Sequence, residues 1–308
     1  MFTREDANVL LTGSSGFLGQ SILKVIRGKF NEIICLGSDN PYSRVDISAP
    51  FEIIDAPCGI KTVIHAAGKA HTIPKTLDEE RDFYRVNFEG TKNLCHALEK
   101  LEKLPPSFVF ISTVAVYGVD QGLCLKENAP LRGYTPYSKS KILAEQWLHE
   151  WSAKNNVKLG ILRLPLIAGP RPTGNLSAMV NGIRYGKYLS IGRADARKSI
   201  VWAEDVANII PVLTQKGGTY NLTDGVHPTF GELETAIATA LNKRRPVKVP
   251  YWVAKALAKT GDIIGSRFPI NSEKLVKITS SLTFDDQKAR EELGWRPTSV
   301  LDKISQII

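Results

Sequence analysis

Apolar and polar positions change period several times along the chain. Val9-Leu10-Leu11 is a short unbroken apolar run, the pattern of a strand buried on both faces of a parallel sheet. Glu32–Leu36, Thr62–His65, Ser107–Ser112 and Lys158–Leu164 repeat it. Between them, helical spacing runs over residues 17–27, 79–103 and 136–154. This alternation predicts an α/β fold, a doubly wound parallel sheet with helices on both faces. The pattern breaks after Pro165. Residues 166–197 are rich in Gly, Pro and Arg and read as ligand-facing loops and short helices. Residues 199–210 and 219–222 are expected to return to the main sheet. From about residue 226 the chain reads as mostly helical. The expected organisation is a sheet domain over 1–165, rejoined by 198–224. A smaller, mostly helical C-terminal lobe takes 166–197 and 225–308.

Composition agrees with a folded chain of this kind. The 308 residues are 43% apolar and 23% charged, which leaves room for a large core. No apolar run is long enough for a membrane span. The start, Met1 to Asp6, carries acidic residues and no apolar core, so it does not read as a signal peptide. A cytoplasmic location is expected. The net charge of +9 favours anionic partners: nucleic acid, a membrane surface or a phosphorylated small molecule. The bases are scattered, apart from short groups such as Lys243-Arg244-Arg245, so a nucleic-acid partner is not expected. Cys35, Cys58, Cys95 and Cys124 form no C-x-x-C pair, and the histidines lack metal-ligand spacing. Buried thiols and no metal are expected.

Three motifs carry chemistry. Thr12-Gly13-Ser14-Ser15-Gly16-Phe17-Leu18-Gly19 follows the first strand and opens a helix. Glycines at 13, 16 and 19 let the backbone approach a pyrophosphate at the helix N-terminus, which points to a dinucleotide. Tyr137 and Lys141 lie four residues apart on a predicted helix and share a face. An ammonium there favours the phenolate and lowers the phenol pKa from its usual value of about 10. Ser112 and Thr113 close a buried strand, at the end where open α/β sheets bind ligands. A hydroxyl there can bond to a reacting oxygen and relay its proton.

Together, in this order and spacing, the motifs resemble the extended short-chain dehydrogenase/reductases, in their nucleotide-sugar epimerase/dehydratase branch with its Rossmann-type sheet. Further landmarks are Asp46-Ile47, Val63 to Gly68, Val86 to Thr91, Leu162 to Pro165, Ala203 to Ala207 and Gly294 to Pro297. The resemblance implies roles. Tyr137 would be the acid/base, Lys141 would tune it and hold the nicotinamide ribose, and Thr113 would stand as the catalytic hydroxyl. The cofactor, NADP or NAD, would meet Gly13, Ser15, Gly16, Phe17, Leu18, Gly19, Ser38, Asp46, Ile47, Ala66, Ala67, Gly68, Asn87 and Pro165. His71, Asn175, Arg197 and Lys198 would face the substrate, with Lys198 where many relatives carry an Arg for the diphosphate. A homodimer through helices around 79–103 and 137–154 is expected.

Departures from the family pattern narrow the reaction. Sugar 4,6-dehydratases of the family carry Asp-Glu where this chain has Val114-Ala115, so the groups that eliminate water are missing. Gly37 stands in register with the Asp that meets the ribose of NAD. Ser38 can donate to a 2′-phosphate and Arg44 can approach it, which favours NADP. Only nine positions lead from Gly37 to Asp46, an abbreviated crossover like that of 4-ketoreductases. The expected activity is oxidoreduction at C4 of a nucleotide-diphosphate sugar, leaning to reduction of a UDP-4-keto-6-deoxy-hexosamine. A UDP-sugar 4-epimerase is the alternative. A non-catalytic dinucleotide-binding sensor is a remote third.

Overall fold

The structure is a computed structural model and describes residues 5–37, 45–54, 59–70, 72–264 and 270–308. Six strands form the principal sheet: β1 (Glu5–Thr12), β2 (Phe30–Leu36), β3 (Ile60–His65), β4 (Ser107–Thr113), β6 (Lys158–Leu164) and β10 (Gly218–Asn221). Their order is β10-β6-β4-β3-β1-β2, and every neighbouring pair is parallel. The chain leaves β1 for β2 on one side and returns to β3 on the other. That reversal opens a crevice at the carboxyl ends of β1 and β3, where such sheets bind ligands.

Side chains alternate across the sheet, and each face has its own core. Val9, Leu11, Val109 and Ile111 join one cluster with helices α1 (Phe17–Ile26) and α6 (Ala203–Lys216). Leu10, Val63, Phe108 and Phe110 join the other, with α3 (Gly90–Glu99) and α4 (Pro136–Asn155). A third core lies under α5 (Gly174–Arg184) and α7 (Phe230–Ala240), where Met179, Ile183, Leu233 and Ile237 meet Val300 and Ile304. The doubly wound parallel sheet is the one the sequence pattern predicts.

Three short parallel pairs complete the strands: β5 (Gly122–Leu125) with β12 (Leu282–Phe284), β7 (Leu166–Ala168) with β9 (Ile200–Trp202), and β8 (Leu189–Ile191) with β11 (Val247–Val249). Residues 200–202 therefore pair with 166–168, not with the main sheet. Only α6 and β10 bring that stretch back to it. Helices α8 (Tyr251–Ile264), α9 (Ser272–Thr279) and α10 (Gln287–Leu293) follow.

The helix expected over 79–103 is interrupted. Helix α2 (Leu77–Tyr84) is followed by a π-helical turn over Arg85–Glu89 before α3 begins. The turn sets Asn87 to face Lys69 and α4. Gly90 then passes close to Ile47, whose Cδ1 would stand 3.1 Å from any Cβ at that position. The cysteines also differ from expectation. Cys95 is buried but Cys124 is exposed on the short strand β5, and Cys58 lies outside the described residues.

Candidate active site

Position 13 has φ +73°, and a Cβ there would sit 2.5 Å from the backbone nitrogen of Ala67. A Cβ at Gly19 would sit 1.9 Å from the Gly13 carbonyl oxygen. Glycine is therefore required at both positions for the strand–turn–helix to close. The first residue of α1 follows Gly16, which offers no side-chain cap, and the first turn holds no acidic residue. Its free N–H groups and the positive end of the helix dipole suit an anion.

This turn forms one wall of a cleft of about 420 Å³. The opposite wall holds Thr113, Tyr137 and Lys141, and Ala66, Gly68 and Pro165 also line it. Local sequence explains how each of these side chains arrives there. Thr135 and Ser138 form a reciprocal capping box and Pro136 takes the first helical position, so α4 starts just before Tyr137. Thr113 ends β4 and caps the 3₁₀ turn after it, its Oγ1 accepting the Ala115 N–H at 3.2 Å. That bond occupies a lone pair and leaves the Thr113 hydroxyl hydrogen free to donate.

Lys141 is buried, and its Nζ donates to the Ile111 carbonyl at 2.9 Å and lies 4.4 Å from the centroid of the Phe110 ring. Burial pulls its pKa down to about 8, with Glu145 acting in the opposite direction. Tyr137 departs from the expected tuning. Burial raises its pKa, and only the Thr113 hydroxyl beside it pulls the other way. The ammonium expected to lower it is engaged with Ile111 and the Phe110 ring.

Behind these residues lies a network that sequence reasoning missed. Ser112 donates to Glu145, and Arg163 grips the same carboxylate through Nε and through Nη2 at 2.7 Å. The third Arg163 nitrogen, Nη1, donates to Tyr117 Oη at 3.1 Å and to the Glu127 carbonyl at 2.9 Å. The signal was present: Glu145 continues the spacing of Tyr137 and Lys141 along α4, and a charged residue inside a buried strand needs a partner.

A second network fixes the crevice. The Ala67 N–H donates to Thr12 Oγ1, which lies 2.6 Å from His65 Nδ1. His65 Nε2 lies 3.0 Å from Thr91 Oγ1, and that hydroxyl donates to the Asn87 carbonyl. The order of donors leaves one assignment: the imidazole carries its proton on Nε2 and accepts from Thr12 on Nδ1. Burial and the Lys141 charge hold its pKa down at about 3, so it stays neutral. His65 packs at a strand end, as its position in the sequence suggests.

The other expected site residues divide into groups. Asn87 is buried and spends its amide on the backbone of Lys69 and the hydroxyl of Ser140. Asp46 is exposed and accepts from Ser48 N, while Ile47 is buried below Gly90. Ser15 is exposed in the glycine turn, and Phe17 and Leu18 line the cleft. Asn175 is exposed in the first turn of α5. Arg197 donates to the His227 carbonyl at 3.0 Å and lies 3.9 Å from Glu232. Lys198 is partly buried, with its pKa drawn down to about 8 by burial, while Asp120 opposes the shift and Lys277 adds to it. Ser38 and His71 lie outside the described residues. Among the described residues, no group of His, Cys, Asp and Glu is placed to hold a metal.

A doubly wound sheet with a glycine turn facing a Thr-Tyr-Lys cluster is the architecture of the extended short-chain dehydrogenase/reductases. The chain belongs to the NAD dependent epimerase/dehydratase family, whose profile matches residues 9–223. It is 28% identical over 300 residues to the N-acetyl-alpha-D-glucosaminyl-diphospho-ditrans,octacis-undecaprenol 4-epimerase of Escherichia coli O157:H7, covering 91% of this chain and 88% of that protein. Its fold superposes with a TM-score of 0.75 on RMD from Pseudomonas aeruginosa complexed with NADPH, at 20% identity and 97% coverage of each chain. The UDP-glucose 4-epimerase of Thermotoga maritima with UDP-glucose gives the same score, at 19% identity over 97% of this chain and 96% of that one.

Proposed function

We propose that the protein is an NAD(P)-dependent oxidoreductase acting at C4 of a diphosphate-linked hexose, in the direction of 4-keto reduction. The observation that carries this reading is the convergence of Thr113, Tyr137 and Lys141 on the cleft floored by the Gly13–Gly19 turn. The residues fit a dinucleotide. The uncapped start of α1 suits its pyrophosphate, and the narrow passage at Gly13 and Ala67 leaves backbone within reach. Lys141 Nζ has two further hydrogens for ribose hydroxyls once Ile111 has taken one. A bound nicotinamide supplies the hydride. The chain's own residues manage the proton. Tyr137, whose phenol keeps its proton at neutral pH, gives that proton to the sugar oxygen. Thr113 donates to the same oxygen and holds the alkoxide as it forms. Lys198 lies where the diphosphate is expected and binds it as a point charge.

One further observation supports reduction. The main sheet ends at β2 among the described residues, which fits a short adenosine side and a cofactor released each cycle. The second reading is 4-epimerisation, favoured by the names of the Escherichia coli and Thermotoga maritima relatives. Both readings share the diphosphate handle, whether on a nucleotide or on a polyprenol. The expected homodimer would use α2, α3 and α4, and sedimentation velocity checks it.

The test follows NADPH absorbance with a UDP-4-keto-6-deoxy-N-acetylhexosamine. Oxidation of NADPH in step with ketone loss establishes the ketoreductase. A flat trace, with interconversion of UDP-hexoses at C4, establishes the epimerase instead.

A further inference from the structure

Helix α8 reverses the usual arrangement of a surface helix. Its buried stripe is Ala254, Ala258 and Gly261, packed near Leu275 and Ile270. Its large apolar residues lie outside: Trp252 is 74% exposed and Ile263 86% exposed, with Leu257 and Ile264 beside them. At 100° per residue, Trp252, Ala256, Lys259 and Ile263 fall on one outward strip, opposite the buried one. A surface helix normally turns its large apolar side chains inward.

The segment leading into α8 has the same character. Residues 242–245, Val247, Lys248 and 250–252 are all exposed. Val247 stands beside Leu189 across the β8–β11 pair, and both apolar side chains face solvent. From Lys243 to Ile264 there are six bases, Lys243, Arg244, Arg245, Lys248, Lys255 and Lys259, and one acid, Asp262. Asp262 is engaged with the backbone N–H and the hydroxyl of Ser272.

We propose that this face, residues 242–252 with the outer side of α8, docks on an anionic lipid bilayer. The chemistry selects the partner. Trp252, Ile263 and Val247 reach the headgroup–acyl boundary, and lysine stems lie along it with their ammonium groups at the lipid phosphates. A protein-binding patch has a core depleted of Lys, whereas here Lys255 and Lys259 alternate with the apolar residues at each turn. A second copy on a two-fold axis would set six bases against six. No helix among the described residues is long and apolar enough to cross a membrane, so the contact is peripheral. Tyr251, the first residue of α8, also lines a second cavity of about 320 Å³ with Arg193, Ile278 and Thr279. The inference does not depend on the reaction assigned above.

The test uses the full chain and large vesicles, one set of equimolar phosphatidylglycerol and phosphatidylcholine, the other of phosphatidylcholine alone. The protein is expected to sediment with the anionic vesicles, and less as salt rises. Trp252 is the one exposed tryptophan of five, so its emission is expected to shift to the blue on binding. Each basic contact contributes about fivefold to partitioning, so the triple variant K243E/R244E/R245E should lose about a hundredfold or more. Trp252→Ala should weaken binding several-fold and abolish the blue shift. Both changes are on the surface, and unchanged circular dichroism confirms the fold. Failure to sediment with anionic vesicles overturns the proposal. So does equal binding to neutral vesicles, binding that survives both variants, or a dimer lost in Trp252→Ala while the vesicles stay empty.

Discussion

Two arginine–glutamate pairs of the molecule sit in opposite surroundings. Arg163 and Glu145 are 7% and 2% exposed and meet at 2.7 Å behind the Thr113–Tyr137–Lys141 wall. Arg197 and Glu232 are each 48% exposed and 3.9 Å apart in the C-terminal lobe. The residue types are the same and the physics is not. The first pair has lost its water, and all three guanidinium nitrogens of Arg163 are hydrogen-bonded. The second keeps its water and a loose geometry. The inner wall therefore behaves as one rigid polar unit, while the lobe carries charges that can turn toward a ligand.

The largest effect should come from breaking the inner pair. Glu145→Ala leaves Arg163 charged, buried and without its carboxylate, and also strips Ser112 of its acceptor. A loss of about 3–5 kcal/mol in urea unfolding is expected. A loss below about 1 kcal/mol would show that water reaches Arg163, and the two pairs would not differ as described.

Lys141 sharpens the same contrast in the opposite direction. Its pKa is moved from 10.5 down to about 8 in the folded protein, chiefly by burial. Below pH 8 both states bind the proton, and the folded state bears the full cost of the buried charge, about 3 kcal/mol at about 1.4 per pKa unit. Between pH 8 and 10.5 the folded state has released the proton and the unfolded state has not, so stability rises with pH across that window. Lys141→Met should raise stability near neutral pH by up to about 3 kcal/mol, flatten the rise above pH 8 to the part that Lys198 contributes, and abolish turnover. A wild-type stability curve that is flat above pH 8 would mean that Lys141 is not desolvated.

Tyr137→Phe removes one oxygen from the inner wall and leaves its packing in place. Turnover should fall at least about a hundredfold, with unfolding nearly unchanged. Near-wild-type turnover would remove Tyr137 from the reaction.

The contrast between the walls also explains what the sequence disclosed. The strands β1, β3, β4 and β6 were legible because unbroken apolar runs are the direct signature of a sheet covered on both faces. Thr113, Tyr137 and Lys141 were legible because strand-end and i, i+4 positions fix their neighbours. The break at Arg85–Glu89 was not, because a π turn follows from tertiary contacts such as Asn87 with Lys69 and Ser140, which the residue pattern does not record. The raised pKa of Tyr137 was not legible either. It comes from burial of the phenol, which Lys141 does not offset because its Nζ donates to the Ile111 carbonyl, a contact that leaves no mark in a residue pattern. The pairing of 200–202 with 166–168 is a tertiary choice between two short apolar runs of similar character.

The smallest effect belongs to the outer pair. Arg197→Ala removes a hydrogen bond to the His227 carbonyl and an ion pair at 3.9 Å, both at an exposed site. A stability change of about 0–1 kcal/mol is expected, and less at high salt. The informative comparison is with its neighbour. Lys198 is partly buried, and burial holds its pKa down at about 8, so its charge is costly until an anion arrives. Lys198→Ala should therefore raise KM for a diphosphate-linked sugar about tenfold or more, with kcat little changed, as one lost charged hydrogen bond implies. Arg197→Ala should leave KM within about twofold, because the guanidinium is already directed to His227 and Glu232. If Arg197→Ala raises KM and Lys198→Ala does not, the diphosphate is gripped by the exposed residue, and the lobe turns its charges on binding further than the free structure shows.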